Sequence, residues 1–114
     1  MRAPPLFTFP SMNEADELLR AKLNAETGRL AWKELERHFA RGVVVLVAAE
    51  LDLVDVAFHV SRDDKATVAD WMDRGLLRRA ATEDAMVWHE RQTIFWAVVA
   101  APWVLIQEID ALDN

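Results

Sequence analysis

Cysteine is absent from this chain of 114 residues. Disulfides, thiolate nucleophiles, zinc ribbons and iron–sulfur clusters are therefore excluded together. Small secreted domains more often carry disulfide staples, so a reducing, cytoplasmic compartment is the expected home. Glycine is almost as scarce. Gly28, Gly42 and Gly75 stand alone and cannot build the phosphate-cradling loop of a P-loop or Rossmann site. The two serines, Ser11 and Ser61, lie outside any Gly-x-Ser-x-Gly elbow, which removes the serine-hydrolase reading. An excess of positive charge is also missing: the net charge of −6 opposes nucleic acid and anionic lipid, both of which require a positive surface. The longest apolar run, Ile94 to Ile106, has 13 residues and contains Pro102. A membrane-spanning helix needs roughly 20, so this run is read as core and no membrane association is expected. The first ten residues hold Pro4, Pro5 and Pro10 and lack the continuous apolar stretch of a signal peptide. Residues 1–11 are read as a flexible tail and 12–110 as a single globular domain.

What is present suits a packed core. Hydrophobic residues make up 53% and charged residues 28%, with five tryptophans and five phenylalanines but no tyrosine. Ser11 and Glu14 have capping-box spacing ahead of Ala15, Leu18, Leu19 and Leu23, which predicts a first helix. Asn24 is a second N-cap candidate, leading to the stripe Trp32, Leu35 and Phe39 and a stop at Gly42, with a break near Gly28. Val43 to Val47 is a β-branched run that reads as a buried strand. Asp52, Asp55 and His59 then recur at helical spacing among apolar neighbours. Ser61 is the expected cap of a fourth helix ending at Gly75, and Thr82 of a fifth. Leu76 and Leu77 are a short extended link. From Ile94 the pattern is strand, with Pro102 requiring a turn, bulge or edge position before Trp103. The sum is an α+β domain of about five helices packed on a small two- or three-stranded sheet.

Several segments together resemble a bacterial family catalogued as domain of unknown function 2288. They are Leu23 to Thr27, Trp32 to Gly42, Leu51 to Ala57, Asp64-Lys65, Trp71, Gly75 and above all Trp96 to Gln107, with its Ala-Pro-Trp at 101–103. The resemblance spans roughly residues 22 to 108 and implies no reaction, ligand or partner.

Two groups of side chains invite a functional reading. Asp52, Asp55 and His59 share a helix face and could offer two oxygens and an imidazole to a divalent metal, with Asp63 nearest in sequence as a fourth ligand. The alternative is the solvated stripe of a buried helix, and three scattered histidines (His38, His59, His89) without cysteine argue against a tightly held transition metal. No cofactor is expected. His89-Glu90 begins like a zinc-protease helix, but Thr93 stands where the second histidine is needed. The fourth and fifth helices could imitate a DNA-reading pair, yet Asp63, Asp64, Asp70 and Asp73 outnumber Lys65 and Arg74 there. The largest basic cluster, Arg74, Arg78 and Arg79, is small.

Trp96, Pro102 and Trp103 form the second group, as candidates for an interaction surface, since aromatic anchors dominate interface energetics. Alternation along a strand puts Trp96 with Val98, and Phe95 with Ala97 and Val99, so both faces are apolar. A second copy of the chain or the chain's own helices could cover them. The leading reading is a non-enzymatic binding or protein-interaction module, self-associating as a homodimer through the tryptophan-rich segment. The other reading is a small enzyme or metal-binding protein using Asp52, Asp55 and His59, with Glu34 and Arg37 as further polar candidates.

Overall fold

A computed structural model describes residues 8–109, with side chains from residue 14 onward. Residues 1–7 of the expected tail lie outside the described residues, and Thr8 to Ser11 belong to the first helix. In chain order the elements are α1 (Thr8–Glu26), β1 (Gly28–Ala31), α2 (Trp32–Ala40), β2 (Val44–Val47), α3 (Leu53–Ser61), α4 (Lys65–Asp73), β3 (Leu77–Arg79), α5 (Thr82–Arg91), β4 (Ile94–Ala100) and β5 (Trp103–Glu108). The fold is α+β, with a five-stranded mixed sheet in the order β1-β4-β5-β2-β3. β2 runs parallel to β5 and the other three pairings are antiparallel. None of the described helices is long and apolar enough to cross a membrane.

The sheet divides the core in two. Side chains alternate along each strand, so Val98 and Ala100 of β4, Leu105 of β5 and Val47 of β2 face one helical layer. There they pack with Leu23 of α1, Val56, Ala57 and Phe58 of α3, and Trp71 of α4. Phe95, Val104, Ile106 and Val44 face the other way, against Trp32 and Leu35 of α2 and Ala85 and Trp88 of α5. Trp88 meets Phe95 edge-on at 5.0 Å and lies 6.0 Å from Trp32. Burying a side chain such as Phe95 contributes about 2–3 kcal/mol. The apolar run from Ile94 is therefore covered in part by the chain's own helices, one layer per face, while Ile94, Trp96 and Val99 stay exposed.

The sheet has five strands where two or three were expected. β1 (Gly-Arg-Leu-Ala) and β3 (Leu-Arg-Arg) contain no β-branched residue, so local propensity does not mark them. They form because β4 and β2 offer ladder edges to them, with Leu30 opposite Phe95 and Leu77 opposite Val47. The expected second helix start at Asn24 is displaced for the same reason. Asn24 lies inside α1, and the chain pairs as β1 before turning into α2.

The caps shift as well. α1 begins at Thr8, ahead of Ser11. Ser61 ends α3, and Asp64 caps α4 by accepting the Thr67 N–H at 3.2 Å. The turn between these two helices passes through Asp63 at φ 58°, a left-handed geometry that aspartate tolerates better than most residues. Ala81, not Thr82, is the N-cap of α5, and the Asp84 carboxylate reaches back to accept its N–H at 2.7 Å. Pro102 lies in the tight turn between β4 and β5, behind a cis peptide bond from Ala101.

Candidate functional site

The β4–β5 turn sets Trp103 at the start of β5, on the same sheet face as Leu105. Val45 of β2 and Leu77 of β3 continue that face toward the sheet edge. Opposite them stand Val60, at the end of α3, and Val68 and Met72 of α4. A groove of about 560 Å³ is left between the sheet and this helix pair. Pro102, Asp63, Asp64, Lys65, Arg78 and Arg79 contribute to its rim. Its walls are aliphatic and aromatic, and its polar groups gather at the mouth.

The charges at the mouth are mostly paired. Lys65 lies 3.8 Å from Asp63. Arg78 forms a two-pronged pair with Asp84 at 2.7 and 2.9 Å, which raises the arginine and lowers the aspartate from their ordinary pKa values. Asp64 accepts from the Thr67 hydroxyl at 2.8 Å and from the Thr67 amide. With His59 2.9 Å away, these contacts hold its carboxyl below the usual aspartate value. Arg79 is different. Its guanidinium lies over Trp103, 5.3 Å from the ring centroid, and one nitrogen donates to the Gly42 carbonyl at 2.7 Å. Among the described residues no carboxylate comes within ion-pair distance of it.

The sequence's basic cluster thus separates. Arg78 pairs with Asp84 of α5, Arg79 lies over Trp103, and Arg74 pairs with Asp70 at 3.2 Å. The sequence marks Arg79 only as one member of a small basic cluster, and it gives Met72 no site role. The parity of Leu77-Arg78-Arg79 would have indicated Arg79 only once that segment was known to be a strand.

The polar helix face is put to structural use. Asp52 caps α3, accepting the Val54 N–H at 3.0 Å. Asp55 pairs with Arg20 of α1 at 2.9 Å and lies 3.6 Å from His59 Nε2. His59 is sandwiched edge-on by Phe58 and Trp71, at 5.3 and 5.4 Å. Asp55, His59 and Asp64 are brought into one chain of contacts, while Asp52 and Asp63 are directed elsewhere. Among the described residues no group of three or more histidine, aspartate or glutamate side chains is set to hold a metal. Glu34 accepts the Ala31 N–H at 3.1 Å at the start of α2, on the opposite side of the sheet, and Arg37 is exposed on the same helix. Trp96 remains 40% exposed, with Arg29 of β1 5.5 Å from its ring. Of the three interaction candidates, Pro102 and Trp103 meet at the groove and Trp96 lies outside it.

The solution structure of PA1075 from Pseudomonas aeruginosa is similar to this chain. It has 45% sequence identity and a TM-score of 0.71 over 85% of this chain and 90% of that one. None of the curated proteins matches. The model of a family described as protein of unknown function, DUF2288, matches residues 18–108, from the middle of α1 to the end of β5. The groove residues named above all fall inside that span, and the chain belongs to the DUF2288 family.

Proposed function

We propose that this domain is a non-enzymatic binding module whose ligand enters the groove between Trp103 and the α3–α4 pair. The observation that carries this reading is the groove itself: about 560 Å³, apolar along its walls, with a few polar groups at the mouth. Small-molecule sites have this volume and this distribution of polarity. The ionisable groups nearby support binding over catalysis, because Asp64, Lys65 and Arg78 are already engaged with neighbours in the chain. Met72 is half exposed at the groove wall, so Met72→Trp fills the space without disturbing the core. The amphiphilic fluorescent dye anilinonaphthalene sulfonate, an aromatic body with an anionic head, should bind the wild type and lose at least tenfold in affinity to this variant, with the melting temperature unchanged. Dye binding that ignores the substitution defeats the proposal.

Self-association is a second reading, supported by exposed apolar groups on β4. Ile94 and Trp96 are 42% and 40% exposed on one face, and Val99 is 55% exposed beyond the end of β1. Sedimentation velocity at micromolar concentration tests it. A dimer weakened by Trp96→Ala supports the reading, and a monomer at every concentration removes it.

A further inference from the structure

We infer that the groove takes a medium-chain aliphatic carboxylate, with its head on the guanidinium of Arg79 and its chain against Val60, Val68, Leu77 and Leu105. The inference rests on the groove being a binding site and adds the chemistry of the ligand. The side chains along the proposed path are aliphatic and offer no hydrogen bond, so an extended hydrocarbon meets its needs and a polar ligand does not. The head is set by charge. At the mouth Lys65 is matched by Asp63, Arg78 by Asp84, and Asp64 by Thr67 and His59. Arg79 is left as the cation without a carboxylate among the described residues, and its contact with the Trp103 ring and its hydrogen bond to the Gly42 carbonyl hold the guanidinium beside the groove. Only one of its nitrogens is used by Gly42, so the remaining donors can meet a carboxylate in the planar fork geometry that arginine favours. A doubly charged phosphate head fits less well, since the carboxylates of Asp63 and Asp64 share the same rim.

Titration calorimetry with octanoate, 1-octanol and octylammonium tests this. Octanoate should bind at least tenfold more tightly than octanol, and octylammonium more weakly than either. Arg79→Gln should bring octanoate to the affinity of octanol while leaving octanol binding unchanged. Replacing octanoate with hexanoate should weaken binding roughly tenfold, the loss expected for two methylenes. Equal affinity for octanoate and octanol in the wild type, or an octanoate preference that survives Arg79→Gln, overturns the carboxylate assignment but leaves the groove as a binding site. Binding by none of the three probes overturns the groove reading as well. Arg79 is exposed on an edge strand, and an unchanged melting curve for Arg79→Gln confirms that the comparison is made on folded protein.

Discussion

His59 Nδ1 lies 2.9 Å from the Asp64 Oδ2 atom, joining the last turn of α3 to the residue that caps α4. An ionised carboxylate only accepts, so Nδ1 carries the hydrogen. The same carboxylate takes the hydroxyl and the amide of Thr67. One side chain therefore fixes the angle at which two helices meet, and those helices form one wall of the groove.

Asp64 should accordingly contribute stability that depends on acid. The Thr67 hydroxyl is the largest cause of its lowered pKa, followed by the Thr67 amide and His59. A carboxyl with a lower pKa folded than unfolded contributes fully above the ordinary aspartate value of 3.8, and the contribution disappears as pH falls through the folded value. Asp64→Asn should lower the melting temperature by a few degrees at pH 7. The gap from wild type should close as the pH is taken below the aspartate range. A gap of constant size across that range contradicts the assignment.

Arg78 and Asp84 tie β3 to the first turn of α5. Asp84 also accepts the Ala81 N–H, so Asp84→Ala removes an ion pair and a helix-start contact together. Because Arg78 is half exposed, the pair is worth only about 1 kcal/mol, and losing the backbone contact adds about 1 kcal/mol. Urea denaturation of Asp84→Ala, Arg78→Ala and the double variant should show coupling between the two positions. Strictly additive losses would mean the pair contributes nothing.

Adjacent residues on β4 should behave in opposite ways. Phe95 is fully buried against Trp88 and Trp32, and Trp96 is 40% exposed. Phe95→Ala should destabilise the domain by about 3–5 kcal/mol through lost burial and a cavity. Trp96→Ala should lose less than about 1 kcal/mol in the monomer. Chemical denaturation of both variants measures the difference, and comparable losses would show that Trp96 is anchored by more than the contacts described.

Gly75 follows α4 at φ 74°, and a Cβ built there meets nothing within 4 Å. The penalty for Gly75→Ala should thus be conformational alone, about 1 kcal/mol. An Asn substitution, which tolerates the left-handed region better, should recover part of it. Equal losses for Ala and Asn in thermal melts would point to a steric cause.

The sequence by itself determined the elements whose residues carry their own signal. Val44, Val45 and Val47 are β-branched, α3 is mostly apolar behind its cap Asp52 with Asp55 and His59 on one face, and Pro102 has no N–H to give a ladder. Each of these depends on side chains near in sequence, which is why the helices after residue 50, the β2 run and the turn before Trp103 could be read directly. The family was legible too, from the spaced tryptophans and the Ala-Pro-Trp segment. Tertiary structure alone decided the two edge strands. Gly28 to Ala31 and Leu77 to Arg79 have no strong local preference, and they extend only because β4 and β2 present unpaired ladder groups to them. The separation of Arg78 from Arg79 follows from that pairing, and so does the groove. Trp103, Met72, Leu77 and Arg79 are far apart in the chain or lack a motif, and they share a surface only once the sheet edge is built and α4 is set against it. The polar stripe of α3 shows the reverse limit: spacing put Asp55 and His59 on one face, but only the packing of α1 and α4 gave them Arg20 and Asp64 as partners.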